Sequence, residues 1–183
     1  MKPWKTNRRR DLLDCGKFLR VEEHEVELPD GTIIPDWPWV ISPDFINVVA
    51  ITPEHAYLFF RQTKYAIEGT TLAPVGGYLE PGEDPLETAK RELQEETGYQ
   101  SDDWTSLGAF PADANRGCGT GHFYLARDCR YVGGEVQDDL EEQELLLLSR
   151  AEVEAALDQG EIKVMSWVAC VAMGLRKVSP ADG

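Results

Sequence analysis

No stretch of this 183-residue chain holds about 18 consecutive apolar residues, the least that a membrane-crossing helix needs. No helical span is expected. The opening segment MKPWKTNRRRDLLD is basic but lacks the apolar core of a secretory leader. Cysteine is scarce. Cys15, Cys118, Cys129 and Cys170 lie far apart and show no metal-type spacing. They read as free thiols, and with the missing leader they imply a reducing, cytoplasmic location. Positive charge is also short, with 18 Lys and Arg against 33 Asp and Glu and a net charge of −15. That disfavours nucleic acid or an anionic membrane bound through a broad basic surface. A small phosphorylated substrate stays open, because metal ions can neutralise its oxygens. There is no internal repeat and no low-complexity linker. The glycine-rich PVGGYLEPGE is not followed by Gly-Lys-Ser/Thr, which excludes a Walker phosphate loop.

What the chain does have is carboxylate, concentrated between Gly77 and Tyr99 in GYLEPGEDPLETAKRELQEETGY. Asp84 is a good helix N-cap, Pro85 suits the first helical position and Glu87 falls where a capping box wants it. Gly98 supplies a stop. Leu86, Ala89 and Leu93 recur at helical spacing and form an apolar stripe. Glu92 and Glu96 are four apart, so they share one face, with Glu95 beside them. Like charges at that spacing destabilise a bare helix. A hard divalent cation, which takes oxygen ligands, removes the penalty. Arg91 is placed to pair with Glu87 or Glu95.

The spacing Gly77, Glu83, Arg91-Glu92-Leu93, Glu95-Glu96, Gly98-Tyr99 resembles the signature box of the Nudix hydrolases. Seven of its positions demand one residue type, and this chain meets all seven. A chance match in a given register is on the order of 10⁻⁹ to 10⁻⁸ at ordinary residue frequencies. Tyr99 departs from the usual bulky aliphatic residue. The resemblance implies an α+β protein with the Nudix fold, an α/β/α sandwich with a mixed sheet, preceded by antiparallel N-terminal strands. The LPDG turn and the segment from Ala155 to Ile162 look like the ADP-ribose and ADP-sugar pyrophosphatase branch. That branch implies a homodimer built partly by its N-terminal strands, and the Trp37-Pro38-Trp39 segment suits such an interface.

Several elements follow from the residues alone. Strands are expected over 18–28, 32–34, 37–41, 45–52, 56–62, 70–75, 77–79, 107–110, 121–126 and 143–148. Ser149-Arg150-Ala151-Glu152 is a capping box for a helix ended by Gly160, and a second helix covers 164–177. The organisation expected is an N-terminal strand element over 1–44, a Nudix domain over 45–178 and a short tail over 179–183.

A phosphoanhydride resists attack because its negative oxygens repel a nucleophile, so an enzyme needs cations, a positioned water and a base. Glu92, Glu95 and Glu96 are the candidate ligands for Mg²⁺ or Mn²⁺. The resemblance adds the carbonyl of Gly76, and Glu83 either reaches the ion through water or braces the loop. It also makes Arg91 a group that orients a box glutamate. The base in this branch comes from a downstream acidic loop. Asp138 to Glu144 occupies that place, with Glu142 the first candidate and Glu141 the second; failing both, Glu83, Glu95 or Glu96 takes the role. Arg61, Lys64 and Arg116 are the candidate substrate cations. Trp37, Trp39 and Tyr65 are available for core or interface packing, or for stacking on a base. The activity implied is hydrolysis of a nucleoside diphosphate linked to another moiety, a nucleotide sugar such as ADP-ribose first. Triphosphates, dinucleotides or a non-catalytic nucleotide sensor are the alternatives.

Overall fold

The computed structural model describes residues 1–133 and 142–178. The part of the acidic run from Asp138 to Glu141 and the tail over 179–183 fall outside the described residues. Among the described residues no helix is long and apolar enough to cross a membrane. All four cysteines are free thiols.

The chain divides into two compact units. The first comprises Met1–Asp44 and Phe110–Thr120. It holds a three-stranded antiparallel sheet of β1 (Lys5–Asp14), β2 (Arg20–Glu27) and β3 (Ile33–Ile41), in that spatial order. Strand β1 was not expected from the sequence, because it has no apolar alternation and every residue in it is exposed. Its partner supplies the reason for it. Arg10 pairs with Glu23 at 3.0 Å, Lys5 with Glu27 at 3.6 Å and Arg8 with Glu25 at 4.0 Å. Strand β3 runs unbroken through Pro35 and Pro38, where two short pieces were expected. It lies at the sheet edge, where a missing N–H costs no ladder bond.

The same unit buries polar side chains. Glu22 accepts from His24 Nε2 at 2.7 Å, both residues are buried, and the His24 ring stacks on Trp39. Trp37 Nε1 donates to the Asn115 carbonyl at 3.2 Å, and the Arg116 guanidinium lies 5.2 Å from the centre of the Trp37 ring. A cavity of about 510 Å³ is lined by Trp4, Arg9, His24, Trp37, Trp39 and Asn115, among others.

The second unit, Phe45–Ala109 with Gly121–Gly183, is built on a seven-stranded mixed sheet. Its strands are β4 (Phe45–Ile51), β5 (Tyr57–Thr63), β6 (Thr70–Ala73), β7 (Val75–Tyr78), β9 (Asp103–Pro111), β10 (Thr120–Arg127) and β12 (Gln143–Leu148). Two short strands, β8 (Tyr99–Gln100) and β11 (Arg130–Tyr131), pair with each other. The main path is β12-β5-β4-β10-β9, with β6 on β5 and β7 on β4. Strands β4 and β10 are parallel; the pairs of β4 with β5 and β7 are antiparallel. Pro74 divides what the sequence suggested was one extended piece.

Helices α1 (Pro85–Thr97), α2 (Arg150–Asp158) and α3 (Met165–Lys177) complete the unit. Strand β4 is buried on both faces, which explains its nearly unbroken apolar run. Ile46, Val48 and Ala50 join Leu58, Phe60, Val75, Ala89 and Leu93 in one core. Val49 and Ile51 join Tyr57, Phe59, Leu125, Val153, Val171 and Leu175 in the other. Alternate side chains of each strand point to opposite faces, so α1 covers one face and α2 with α3 the other. This is the expected α/β/α sandwich.

Candidate functional site

Helix α1 begins as its sequence requires. The Asp84 carboxylate accepts the N–H of Leu86 at 2.9 Å and of Glu87 at 3.2 Å. The expected reciprocal bond from Glu87 is replaced by an ion pair with Lys90 at 2.8 Å. Both are exposed, so the flexible lysine competes readily with the cap. Gly98 ends the helix at φ +73° and donates its N–H to the Gln94 carbonyl. Tyr99, in the box's usual aliphatic place, packs edge-on against Tyr131 with ring centres 5.4 Å apart.

The buried stripe of Ala89 and Leu93 turns the acidic side chains of α1 toward β7 and the loop before the helix. Arg91 sits at the centre of them. Its Nε donates to Glu83 at 3.1 Å, and one terminal nitrogen reaches both Glu92 at 2.9 Å and Glu95 at 2.8 Å. The expected partner Glu95 is therefore correct, Glu87 is not, and two further carboxylates join. The guanidinium holds the Glu83 carboxyl down to about 2. A lowered folded-state value gives stability above the ordinary carboxylate range that is lost as pH falls toward 2. Burial acts the other way on Glu92 and pushes its carboxyl up, while neighbouring Arg91 pulls it back.

Glu92 has a specific seat. Its carboxylate lies directly on Gly77 of β7, so that a Cβ there would overlap Glu92 Cδ and Oε1 and come within 2.8 Å of Cγ. Glu96 is half-buried, with Oε2 shut off from solvent. Among the described residues, no three His, Cys, Asp or Glu side chains stand preassembled as a metal cage. The Arg91 guanidinium engages Glu83, Glu92 and Glu95 instead. The donor chemistry nevertheless fits a hard divalent cation. Three carboxylates share one arginine, with Glu96 one turn beyond Glu92 on the same helix, and every donor is oxygen.

The family model for the NUDIX domain matches residues 42–168. The chain belongs to the Nudix family. Over 148 residues it is 32% identical to the ADP-ribose pyrophosphatase of Bacillus subtilis (strain 168), covering 81% of this chain and 78% of that protein. It is 33% identical over 112 residues to the methanol dehydrogenase activator of Bacillus methanolicus, covering 61% of this chain and 60% of the relative. A CMP-5'-(N-acetyl-N-hydroxy-3-aminopropyl)phosphonate hydrolase of Streptomyces rubellomurinus (strain ATCC 31215) is 29% identical over 67% of this chain and 59% of its own length. The crystal structure of an ADP compounds hydrolase superposes with a TM-score of 0.79 at 18% identity, over 97% of this chain and 94% of that one. That likeness establishes the fold.

The remaining candidates of this Nudix protein are more scattered. Arg61 is exposed on β5, 3.8 Å from Glu161. Glu142 directly precedes β12, whose residues Gln143 and Glu144 pair with Gln62 and Arg61. The end of the acidic run and Arg61 thus lie on neighbouring strands. Lys64 follows β5. Arg116 belongs to the first unit, where it covers Trp37. Two residues that bear on the site escaped sequence reasoning. One is Gly77 in its role as the seat of Glu92. The other is Asn47, the one polar side chain in the apolar run of β4; that interruption was the available signal.

Proposed function

We propose that this chain is a divalent-metal-dependent pyrophosphohydrolase acting on a nucleoside diphosphate linked to a second moiety, with ADP-ribose first among its substrates. The seat of Glu92 on Gly77, beside a guanidinium shared with Glu83 and Glu95, carries the reading. It makes the box carboxylates one tightly built anionic site. The similarity to an ADP-ribose pyrophosphatase over most of both chains supports the substrate class. Glu92, Glu95, Glu96 and the Gly76 carbonyl would hold Mg²⁺ or Mn²⁺. When bound, the ion offsets phosphate charge and lowers the pKa of water. Arg91 orients the glutamates, Glu83 braces Arg91, and Arg61, Lys64 and Arg116 bind phosphate oxygens. A cytoplasmic location follows from the same reading.

The test is to incubate the purified protein with Mg²⁺ and a panel of nucleotide sugars, dinucleotides and nucleoside triphosphates, and to weigh the products. AMP with a sugar phosphate is the expected outcome. Pyrophosphate released from a triphosphate overturns the substrate assignment, and binding without turnover overturns the enzymatic one.

In this reading Glu142 accepts a proton from the attacking water. Glu142→Gln is expected to lower kcat by about 10²–10⁴-fold with KM little changed, because a base acts in the transition state. Glu141→Gln is the control, with the same charge one position earlier in the chain. Activity in both variants returns the role to Glu83, Glu95 or Glu96.

We assign residues 1–44 to dimerisation, 45–178 to the catalytic domain and 179–183 to a tail. Trp4, Leu12, Leu13, Phe18 and Ile33 are all exposed apolar side chains of the first unit, and burial against a second copy would remove them from water. Sedimentation at micromolar concentration is expected to show a homodimer. A strict monomer refutes the assignment.

A further inference from the structure

Asn47 stands in the middle of β4, among Ile46, Val48 and Val49, and is 2% exposed. Its Oδ1 is buried without a hydrogen-bond partner. Such an atom is destabilising, since its lost hydration is not replaced, and an apolar side chain would fill the same space without that cost. The amide therefore does not earn its place by packing. What it touches is informative. Asn47 lies opposite Gly76 in the β4–β7 pairing. Its Nδ2 comes within 2.6 Å of where a Cβ on Gly76 would be. The adjacent Gly77 shows the complementary arrangement on the other face of β7, where Glu92 occupies the Cβ position. Strand β7 is thus clasped at two successive glycines, by a glutamate from α1 on one face and an amide from β4 on the other.

We infer that Asn47 is a positioning residue for the Gly76 carbonyl, holding it at the height the box carboxylates require. The inference rests on the metal-site reading above, which makes that carbonyl a ligand. Neither half of the clasp tolerates change alone. Removing the amide leaves β7 free to shift toward the gap. Adding a methyl at Gly76 drives the strand away from Asn47. Both together put the methyl into the space the amide vacated. Groups supporting metal ligands typically change affinity by about 10–100-fold, and residues in contact are coupled.

The experiment is a double-mutant cycle of Asn47→Ala, Gly76→Ala and the pair, read by Mn²⁺ affinity from electron paramagnetic resonance and by thermal melting. Each single variant is expected to weaken Mn²⁺ binding by at least about tenfold. The double variant is expected to bind within about threefold of the unmodified protein, with its melting temperature restored from that of Gly76→Ala. Additive losses in Mn²⁺ affinity, or unchanged affinity in Asn47→Ala, overturn the positioning role. Recovery of melting temperature without recovery of affinity also overturns it, since the contact is then packing alone. Absence of Mn²⁺ binding by the unmodified protein sinks the metal-site reading itself, a result distinct from the others.

Discussion

Glu92→Gln is expected to remove nearly all turnover while the fold survives. The carboxylate sits directly on Gly77 of β7. Its neutral isostere keeps the shape and loses the charge. Loss of one charge-stabilising group at such a site costs about 3–4 kcal/mol of transition-state stabilisation, about 10²–10³-fold in rate. The fold is insulated for two reasons. Burial already disfavours the charged form of Glu92, so the amide relieves a desolvation cost. Arg91 also keeps Glu83 and Glu95 as partners. Glu96→Gln is expected to behave similarly. The measurement is kcat at saturating Mg²⁺ beside a thermal melt, and near-normal turnover in either variant removes that residue from the site.

Gly77→Ala is expected to reach a comparable loss by moving Glu92 instead of neutralising it. The added methyl would occupy the position of the Glu92 carboxylate. Strand β7 cannot yield freely, because Gly77 is paired with Ile46 in the buried part of β4. The side chain must swing aside, and a displacement of about 1 Å at a reacting site costs about 10²-fold. Stability should change little. Alanine suits an ordinary strand conformation and lowers the entropy of the unfolded chain by about 0.4–1 kcal/mol, which offsets part of the local clash. A variant with unaltered kcat and melting temperature would show that Glu92 has room the structure does not grant it.

Much of this was legible in the chain. The cap at Asp84, the stop at Gly98 and the buried stripe of Ala89 and Leu93 are local, and local rules located α1 closely. The box spacing pointed to the acidic site and the family, and the apolar runs over β4, β5 and β10 supplied the centre of the sheet. Strand β1 escaped because what marks it is its antiparallel pairing with β2 and the carboxylates there, some 13 to 22 positions away, and not any pattern of its own. The partners of Arg91 were only half legible. An i,i+4 rule finds Glu95, but Glu83 lies eight positions back, beyond what helical spacing can connect. Asn47 was visible as a polar break in an apolar strand, yet its meaning depends on Gly76, 29 positions on in the chain and opposite it only in the folded sheet.

The sequence by itself determined which residues carry charge, where α1 starts and stops, and where the main apolar strands run. These follow from side-chain chemistry and from periodicities of a few residues. Tertiary structure alone decided that Glu92 rests on Gly77, that one guanidinium serves three carboxylates, and that an amide from β4 backs the strand bearing Gly76. Each is a contact between segments brought together by sheet pairing and helix packing. Close packing admits only one side chain to each such space, and no local pattern records which one fills it.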